Sequence, residues 1–551
     1  MSALEAARAW RDQDPDAETR AELDALIDAA AGGDAGARQE IDERFASRLA
    51  FGTAGLRGAL GAGPTRMNRV LVAQAAAGLA GYLRAQADDV PAVVIGYDGR
   101  RNSEVFARDS AEILAGAGLR ALLLPRPLPT PVLAFAVRHL GADAGVMVTA
   151  SHNPPGDNGY KVYLGGADGG SQIVSPADAG IAARIERVAA GDIRDLPRSD
   201  RYEIAPETVV DAYVAATAAV SPAPPGASGL RWAYTALHGV GWETFARVLD
   251  RAGYPTPVTV DAQLHPDAAF PTVAFPNPEE PGTLDLAFAL AQSADAELVI
   301  AHDPDADRLA VAMPDGAGGF RALTGNQIGL LLGWRAARLA AASGAADATL
   351  ACSLVSSPGL AAVAARYGLG FHATLTGFKW ISRTPGLVYG FEEALGYLVN
   401  PDTVRDKDGL SAAVAVLGLV AEARGAGRSL TDLLDEFDRT FGVFASGQVS
   451  VRLADTAAVA TLMAALRAQH PAAVGDVPVD RVDDLLDGLD GLPPGDVLRL
   501  WLTDGSRVLV RPSGTEPKLK LYLDVRAETA DAASARLASL TAGARALLDA
   551  L

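Results

Sequence analysis

After residue 50 the chain repeats one grammar three times, and that repetition leaves few folds open. A short apolar run ends in a turn, and a longer amphipathic run follows it. "AVVIGYDGR" reads as a buried strand, "SEVFARDSAEILAGAG" as a helix with Ser103 as N-cap, "ALLLP" as a strand, "PVLAFAVRHLGA" as a helix and "AGVMVTASH" as a strand. "LRWAYTALHGVG" and "WETFARVLDRAG" restart the pattern, and "AELVIAHDPDADRLAVAMPDG" gives strand, loop, strand. "NQIGLLLGWRAARLAAASG", "ATLACSLVSS", "PGLAAVAARYGLG" and "LVYGFEEALGY" form a third round. Alternating strand and helix demands parallel or mixed sheets covered by helices. We therefore expect three similar α/β domains at 51–215, 216–325 and 326–440, with "SPAPPGASG" as a linker between the first two. Residues 1–50 read as a helical extension. Residues 441–551 read as a C-terminal α+β domain, because "VLRLWLTDGSRVLVRPSGTEPKLKLYLDVRA" alternates like a hairpin with a loop in it.

Composition removes several functions. A formal charge of −19 argues against a nucleic-acid partner, and any anion site must gather its cations locally. The start, "MSALEAARAWRDQDPD", has no apolar core of a signal peptide. The longest apolar run, "LSAAVAVLGLVA", falls short of the ~20 residues that span a bilayer and reads as a buried helix. One cysteine, Cys352, in an apolar setting excludes an intrachain disulfide and reads as inert core. The expectation is a cytoplasmic protein without membrane or nucleic-acid partners, monomeric or homodimeric.

Five stretches carry chemistry. "TASHNPPGDNGYK" offers Ser151, but its neighbour His152 is awkwardly placed as an activating base, since adjacent residues do not face each other on a helix or strand. "HDPDADR" places carboxylates at 303, 305 and 307, a pattern that can converge on a hard cation such as Mg²⁺. An EF-hand would need glycine and glutamate where Arg308 and Pro314 stand. Arg308 can bind a phosphoryl oxygen or pair with its neighbours. "RPSGTEPKLK" offers Arg511 as a planar fork and Ser513, Gly514 and Thr515 as an amide-rich nest, with Lys518 or Lys520 facing the ligand. "TGFKWI" and "GFEEALGY" add Lys379 and an exposed carboxylate pair, Glu392 and Glu393, suited to sugar hydroxyls.

With "FGTAGLRG" at the front, these motifs occur in an order that resembles the α-D-phosphohexomutase superfamily, over nearly the whole chain after residue 50. "TALHGVG", "FPNPEE" and "FEEALGY" are most similar to the branch that holds phosphoglucomutase/phosphomannomutase and phosphopentomutase-like enzymes. The resemblance implies four domains around a central cleft, Ser151 as a phosphoserine donor, and Mg²⁺ held by Ser151, Asp303, Asp305 and Asp307. It implies a bisphosphosugar activator such as glucose 1,6-bisphosphate, and interconversion of hexose 1- and 6-phosphates of glucose or mannose. Arg57 and Arg308 would steady the phosphoryl group. His152, Lys161 and Lys379 are all open as the general base. Gly377, Glu392, Glu393, Arg511, Ser513, Gly514, Thr515 and Lys520 would bind the sugar phosphate. Two positions depart from the family pattern: Ala394 replaces a serine in the sugar loop, and Lys520 stands where arginine is frequent. The alternatives are a phosphopentomutase, a phosphatase and a non-catalytic phosphosugar-binding protein.

Overall fold

Three capped helices begin the chain. Ser2 and Glu5 form a capping box for Ala3–Gln13, and the side chains of Asp16 and Asp34 cap Ala17–Ala31 and Ala35–Phe45. Their apolar faces bury Trp10, Leu23, Ile27 and Ile41 against Val70, Ala73 and Ile113. Each such leucine or isoleucine contributes roughly 1.5–3 kcal/mol on burial. The computed structural model describes every residue except Met1, Ala346, Asp490, 513–516 and 550–551. It separates into two compact units, Met1–Leu323 with Gly396–Glu422, and Thr324–Leu395 with Ala423–Leu551.

The first unit holds two sheets. In one, the strands run in the order Leu56–Ala59, Asp157–Leu164, Ala144–Val148, Ala92–Tyr97, Arg120–Leu123 and Glu203–Ile204, with Ser171–Gln172 on the side. Ala92–Tyr97 pairs in parallel with both neighbours, while Asp157–Leu164 runs antiparallel to Ala144–Val148. The sheet is mixed, as the sequence pattern requires. One strand was not legible: the turn-rich run after Ser151 passes directly into Asp157–Leu164, because "YKVYL" supplies the aromatic and β-branched residues that a pleated surface favours. The helix Ser103–Gly116 also differs in its cap. Asn102, at φ 65°, is the cap residue, and Ser103 is the first helical residue, its hydroxyl committed to Asp98 at 2.7 Å. The second sheet has the order Phe320–Ala322, Leu309–Pro314, Leu298–His302, Trp232–Thr235 and Val258–Thr259. Leu298–His302 and Leu309–Pro314 are the strand–loop–strand read from the sequence, paired antiparallel.

In the second unit Thr349–Ser353 lies between Gly370–Thr374 and Leu387–Glu392, parallel to both. Six strands between Val443 and Ala527 form one sheet, in which Arg507–Pro512 pairs antiparallel with Lys518–Ala527. The helices Thr456–Ala468 and Ala530–Asp549 complete the expected α+β arrangement. No described helix is by itself long and apolar enough to cross a membrane.

Cys352 sits on Thr349–Ser353 at 2% exposure, and burial pushes its thiol up to about 12. At pH 8 roughly one thiol in ten thousand is then ionised. The native protein should leave a disulfide reagent such as Ellman's essentially unreacted, and the unfolded protein should release one thiolate equivalent per chain. Rapid stoichiometric reaction of the native chain would contradict this placement.

Candidate active site

The buried strand Leu298–His302 delivers Asp303 at its end, and a tight turn closed by Ala306 N–H on the Asp303 carbonyl at 2.9 Å presents Asp305 and Asp307. All three aspartates are 0% exposed, and one oxygen from each lies within 4.8 Å of the others. Neighbouring segments hold the turn from behind. Val240 N–H donates to the Pro304 carbonyl at 2.9 Å, and a Cβ on Gly239 would lie 2.4 Å from Pro304 Cα, so only glycine fits there. Thr130 donates from both its N–H and its hydroxyl to Asp305, at 2.9 and 2.7 Å.

Ser151 follows the strand Ala144–Val148. Its hydroxyl donates to Asp303 Oδ2 at 2.9 Å, so the serine and the triad form one site. The backbone at Ser151 is left-handed, φ 52°, a conformation that a non-glycine residue holds only when its surroundings enforce it. Two devices do so. Ser151 N–H donates to Thr149 Oγ1 at 2.8 Å, and the Arg100 guanidinium donates to the carbonyls of Ser151, Asn153 at 2.7 Å and Pro154 at 2.9 Å. Arg100 is itself buried, paired with Asp98 at 3.4 Å and stacked over Phe270. The left-handed turn corrects one inference from the sequence. It brings His152 Nδ1 to 3.2 Å from Ser151 Oγ, a contact that neither helix nor strand geometry would allow between neighbours.

Cations balance the buried carboxylates. Lys161, from Asp157–Leu164, reaches Asp305 at 2.8 Å and Asp307 at 3.0 Å. Lys407 reaches the same Asp307 oxygen at 3.1 Å. Arg308 lies 4.0 Å from both Asp303 and Asp307 and 3.8 Å from Glu279. Arg57 projects outward from Leu56–Ala59 and donates to Asn153 Oδ1 at 3.2 Å, on the serine loop.

The charge states diverge accordingly. Burial, then the Asp305 and Asp307 charges, push Asp303 well above the usual carboxylate range. Burial works the same way on Asp305, but Lys161 overrides it and holds Asp305 below that range. Lys161 stays protonated because Asp305 and Asp307 outweigh its own burial. His152 is held neutral by burial and by the Arg308 and Arg57 charges.

Asp305 Oδ1 and Asp307 Oδ1 are buried without a hydrogen-bond partner. Orphaned carboxylate oxygens at full burial are costly unless something binds them. Three carboxylates and a serine oxygen form an all-oxygen donor set, which suits a hard divalent cation. The residues fit a metal.

The second unit carries the sugar-type motifs. Gly377, at φ 111°, donates its N–H to Glu392 Oε1. Lys379 lies on the single turn Phe378–Ile381 that follows. The Glu392–Glu393 pair is half-buried rather than exposed as expected, because Ser353 and Ser356 donate to Glu393 Oε2 at 3.1 and 3.0 Å. Arg511, next to last in its strand, stands opposite Lys520. Burial and the Glu393 charge push the Tyr522 hydroxyl up to about 12, and Arg511 pulls the other way. One phenol thus feels both the arginine of one motif and the glutamate of the other. Ser513, Gly514 and Thr515 lie outside the described residues. Sequence reasoning missed Arg100, Thr130 and Lys407. Their signals were slight: a polar residue at a strand end in "GYDGR", a threonine between prolines in "LPTP", and a lysine between two acids in "RDKDG".

Comparison with known proteins finds four domain models along the chain. The models described as phosphoglucomutase/phosphomannomutase alpha/beta/alpha domains I, II and III match residues 48–191, 211–316 and 324–440. The C-terminal domain model matches 449–538. A "Probable phosphomannomutase" of Haemophilus influenzae is 54% identical over 482 residues, covering 88% of this chain and 98% of that protein. Human phosphopentomutase is 34% identical, covering 89% and 87%. A phosphoglucomutase of Staphylococcus epidermidis is 34% identical, covering 90% and 93%. The crystal structure of a phosphoglucomutase/phosphomannomutase family protein from Burkholderia thailandensis shares the fold, with a TM-score of 0.71, 23% identity and coverage of 92% and 98%. The chain belongs to the phosphoglucomutase/phosphomannomutase family within the α-D-phosphohexomutase superfamily.

Proposed function

We propose that this chain is a phosphosugar mutase that interconverts hexose 1-phosphates and hexose 6-phosphates of glucose or mannose, through a phosphorylated Ser151 and a hexose bisphosphate. The observation that carries the reading is the 2.9 Å contact between Ser151 Oγ and Asp303, inside a triad with two orphaned carboxylate oxygens. The 54% identity to the Haemophilus influenzae protein favours a hexose, and the phosphopentomutase relatives stand further away at 34%.

The residues divide the work by charge. Ser151 serves as the phosphoryl carrier. It gives its phosphoryl group to a free sugar hydroxyl, the P–O bond to serine breaks as the P–O bond to sugar forms, and the hydroxyl proton passes to a base. After the bisphosphate reorients, the sugar's other phosphoryl group returns to Ser151, its P–O bond to the sugar breaks as the bond to serine forms, and the protonated base gives its proton to the released sugar oxygen. Ser151, Asp303, Asp305 and Asp307 would hold Mg²⁺, which would supply charge withdrawal from the phosphoryl group. Lys161 is kept as an ammonium, which suits it to a phosphoryl oxygen rather than to proton abstraction. His152 is neutral and 3.2 Å from Ser151 Oγ, which suits it to accept the proton. Arg57 and Arg308 bring further positive charge. Glu392, Glu393 and Lys379 serve the sugar, and the Arg511–Lys520 motif serves its distal phosphate.

A panel of glucose, mannose and ribose 1-phosphates, assayed with glucose 1,6-bisphosphate and Mg²⁺ and with free phosphate monitored, tests the reading. Glucose or mannose 1-phosphate should be isomerised without phosphate release, and chelation should abolish turnover until Mg²⁺ is restored. Preferred turnover of ribose 1-phosphate, or phosphate release in place of isomerisation, would contradict it.

Arg100 supports the serine loop, so its loss acts on both fold and rate. Arg100→Ala leaves Asp98 buried without its cation and should lower unfolding free energy by about 3–5 kcal/mol in urea. It should also lower kcat more than it raises KM, because it frees the turn that aims Ser151. Wild-type stability in this variant would overturn the assignment.

A further inference from the structure

Two buried phenols flank Lys407, and the chemistry above uses neither. Tyr163 leaves the strand Asp157–Leu164 on the same face as Lys161, two residues on, and donates to Asp406 Oδ2 at 2.8 Å. Tyr213, on Thr208–Ala218, donates to Asp408 Oδ1 at 2.8 Å. All four residues are at most 1% exposed. Placing two phenol–carboxylate contacts on one three-residue segment carries a desolvation cost that a Phe and an apolar partner would avoid.

The segment between them is fixed on every side. Asp406 Oδ1 accepts the Lys407 N–H at 2.8 Å, and Asp408 Oδ1 accepts the first N–H groups of the helix Gly409–Gly425, from Leu410 and Ser411, at 3.1 Å each. A Cβ on Gly409 would lie 2.4 Å from the Arg308 carbonyl and 2.7 Å from that of Ala306, so the backbone is wedged against the aspartate turn. His302 Nε2 hydrogen-bonds the Gly409 carbonyl at 3.1 Å. Lysine carries its charge on a flexible four-carbon stem, so its partners decide where that charge rests, and Asp406 Oδ1 lies 3.5 Å from the Lys407 ammonium. Here it rests 3.1 Å from Asp307 Oδ2, the oxygen that Lys161 also approaches.

We propose that Tyr163 and Tyr213 are positioning residues that act through Asp406 and Asp408 to fix the Lys407 ammonium on Asp307. They thereby set the divalent-cation affinity of the triad and, on the mutase reading above, the charge that faces the transferring phosphoryl group. Lys407 competes with a cation for Asp307, so removing its charge raises cation affinity.

A double-mutant cycle on the full chain tests this, with Mn²⁺ binding followed by calorimetry as the first readout. Lys407→Met should tighten Mn²⁺ binding by about 5–10-fold and Tyr163→Phe by about 3-fold, with the double variant no tighter than Lys407→Met alone. In turnover, Tyr163→Phe should lower kcat about 10-fold with KM nearly constant, and the double variant should be no slower than Lys407→Met. Additive effects in the double variant would overturn the proposal, as would wild-type Mn²⁺ affinity and kcat in Tyr163→Phe. Should Tyr163→Phe fail to fold, Asp406→Asn takes its place in the cycle. A wild-type chain inactive on hexose phosphates would sink the mutase reading, and the Mn²⁺ cycle would still decide the role of the phenols.

Discussion

Three carboxylates at zero exposure within one turn are the constraint on which the rest of the first unit depends. Like charges that close repel, and each is expensive to remove from water. The turn can exist only because cations come to it from elsewhere: Lys161 from a neighbouring strand, Lys407 from a segment a hundred residues downstream, and Arg308 from its own end. Thr130 adds a neutral hydrogen bond from a third direction. The same convergence leaves two carboxylate oxygens without a hydrogen-bond partner, where a cation can bind.

The serine loop answers that demand with strain rather than charge. A left-handed serine aims its hydroxyl at Asp303 and turns its neighbour's imidazole onto the same oxygen. Arg100 holds the turn by its carbonyls, and Asp98 and Phe270 hold Arg100. The placement of Ser151 thus rests on a second buried ion pair, Arg100 with Asp98.

The motifs were legible because each is local. "DPDAD" follows an apolar strand, "TASHN" ends another, and "FEEALGY" ends a third, so a few contiguous residues carry both the structure and the chemistry. What joins them was not legible. Lys407 and Thr130 act on the triad across sequence separations that a linear reading cannot bridge. The Ser151–His152 contact was misjudged because helix and strand geometry were the only ones weighed, whereas the residue adopts a left-handed turn. Glu393 was read as exposed, yet Ser353 and Ser356, distant in sequence, close on its carboxylate. Pattern set the elements, and packing between distant elements set the charge balance.

The proposed function turns on one claim: that the buried, pre-aimed serine oxygen beside three acidic side chains carries phosphate. Incubating the purified chain with glucose 1,6-bisphosphate and Mg²⁺ and mapping phosphopeptides by mass spectrometry measures this directly. One phosphoryl group should be found on Ser151, and it should disappear when excess hexose monophosphate is added. A chain that acquires no phosphate, or acquires it at a different residue, would contradict the assignment.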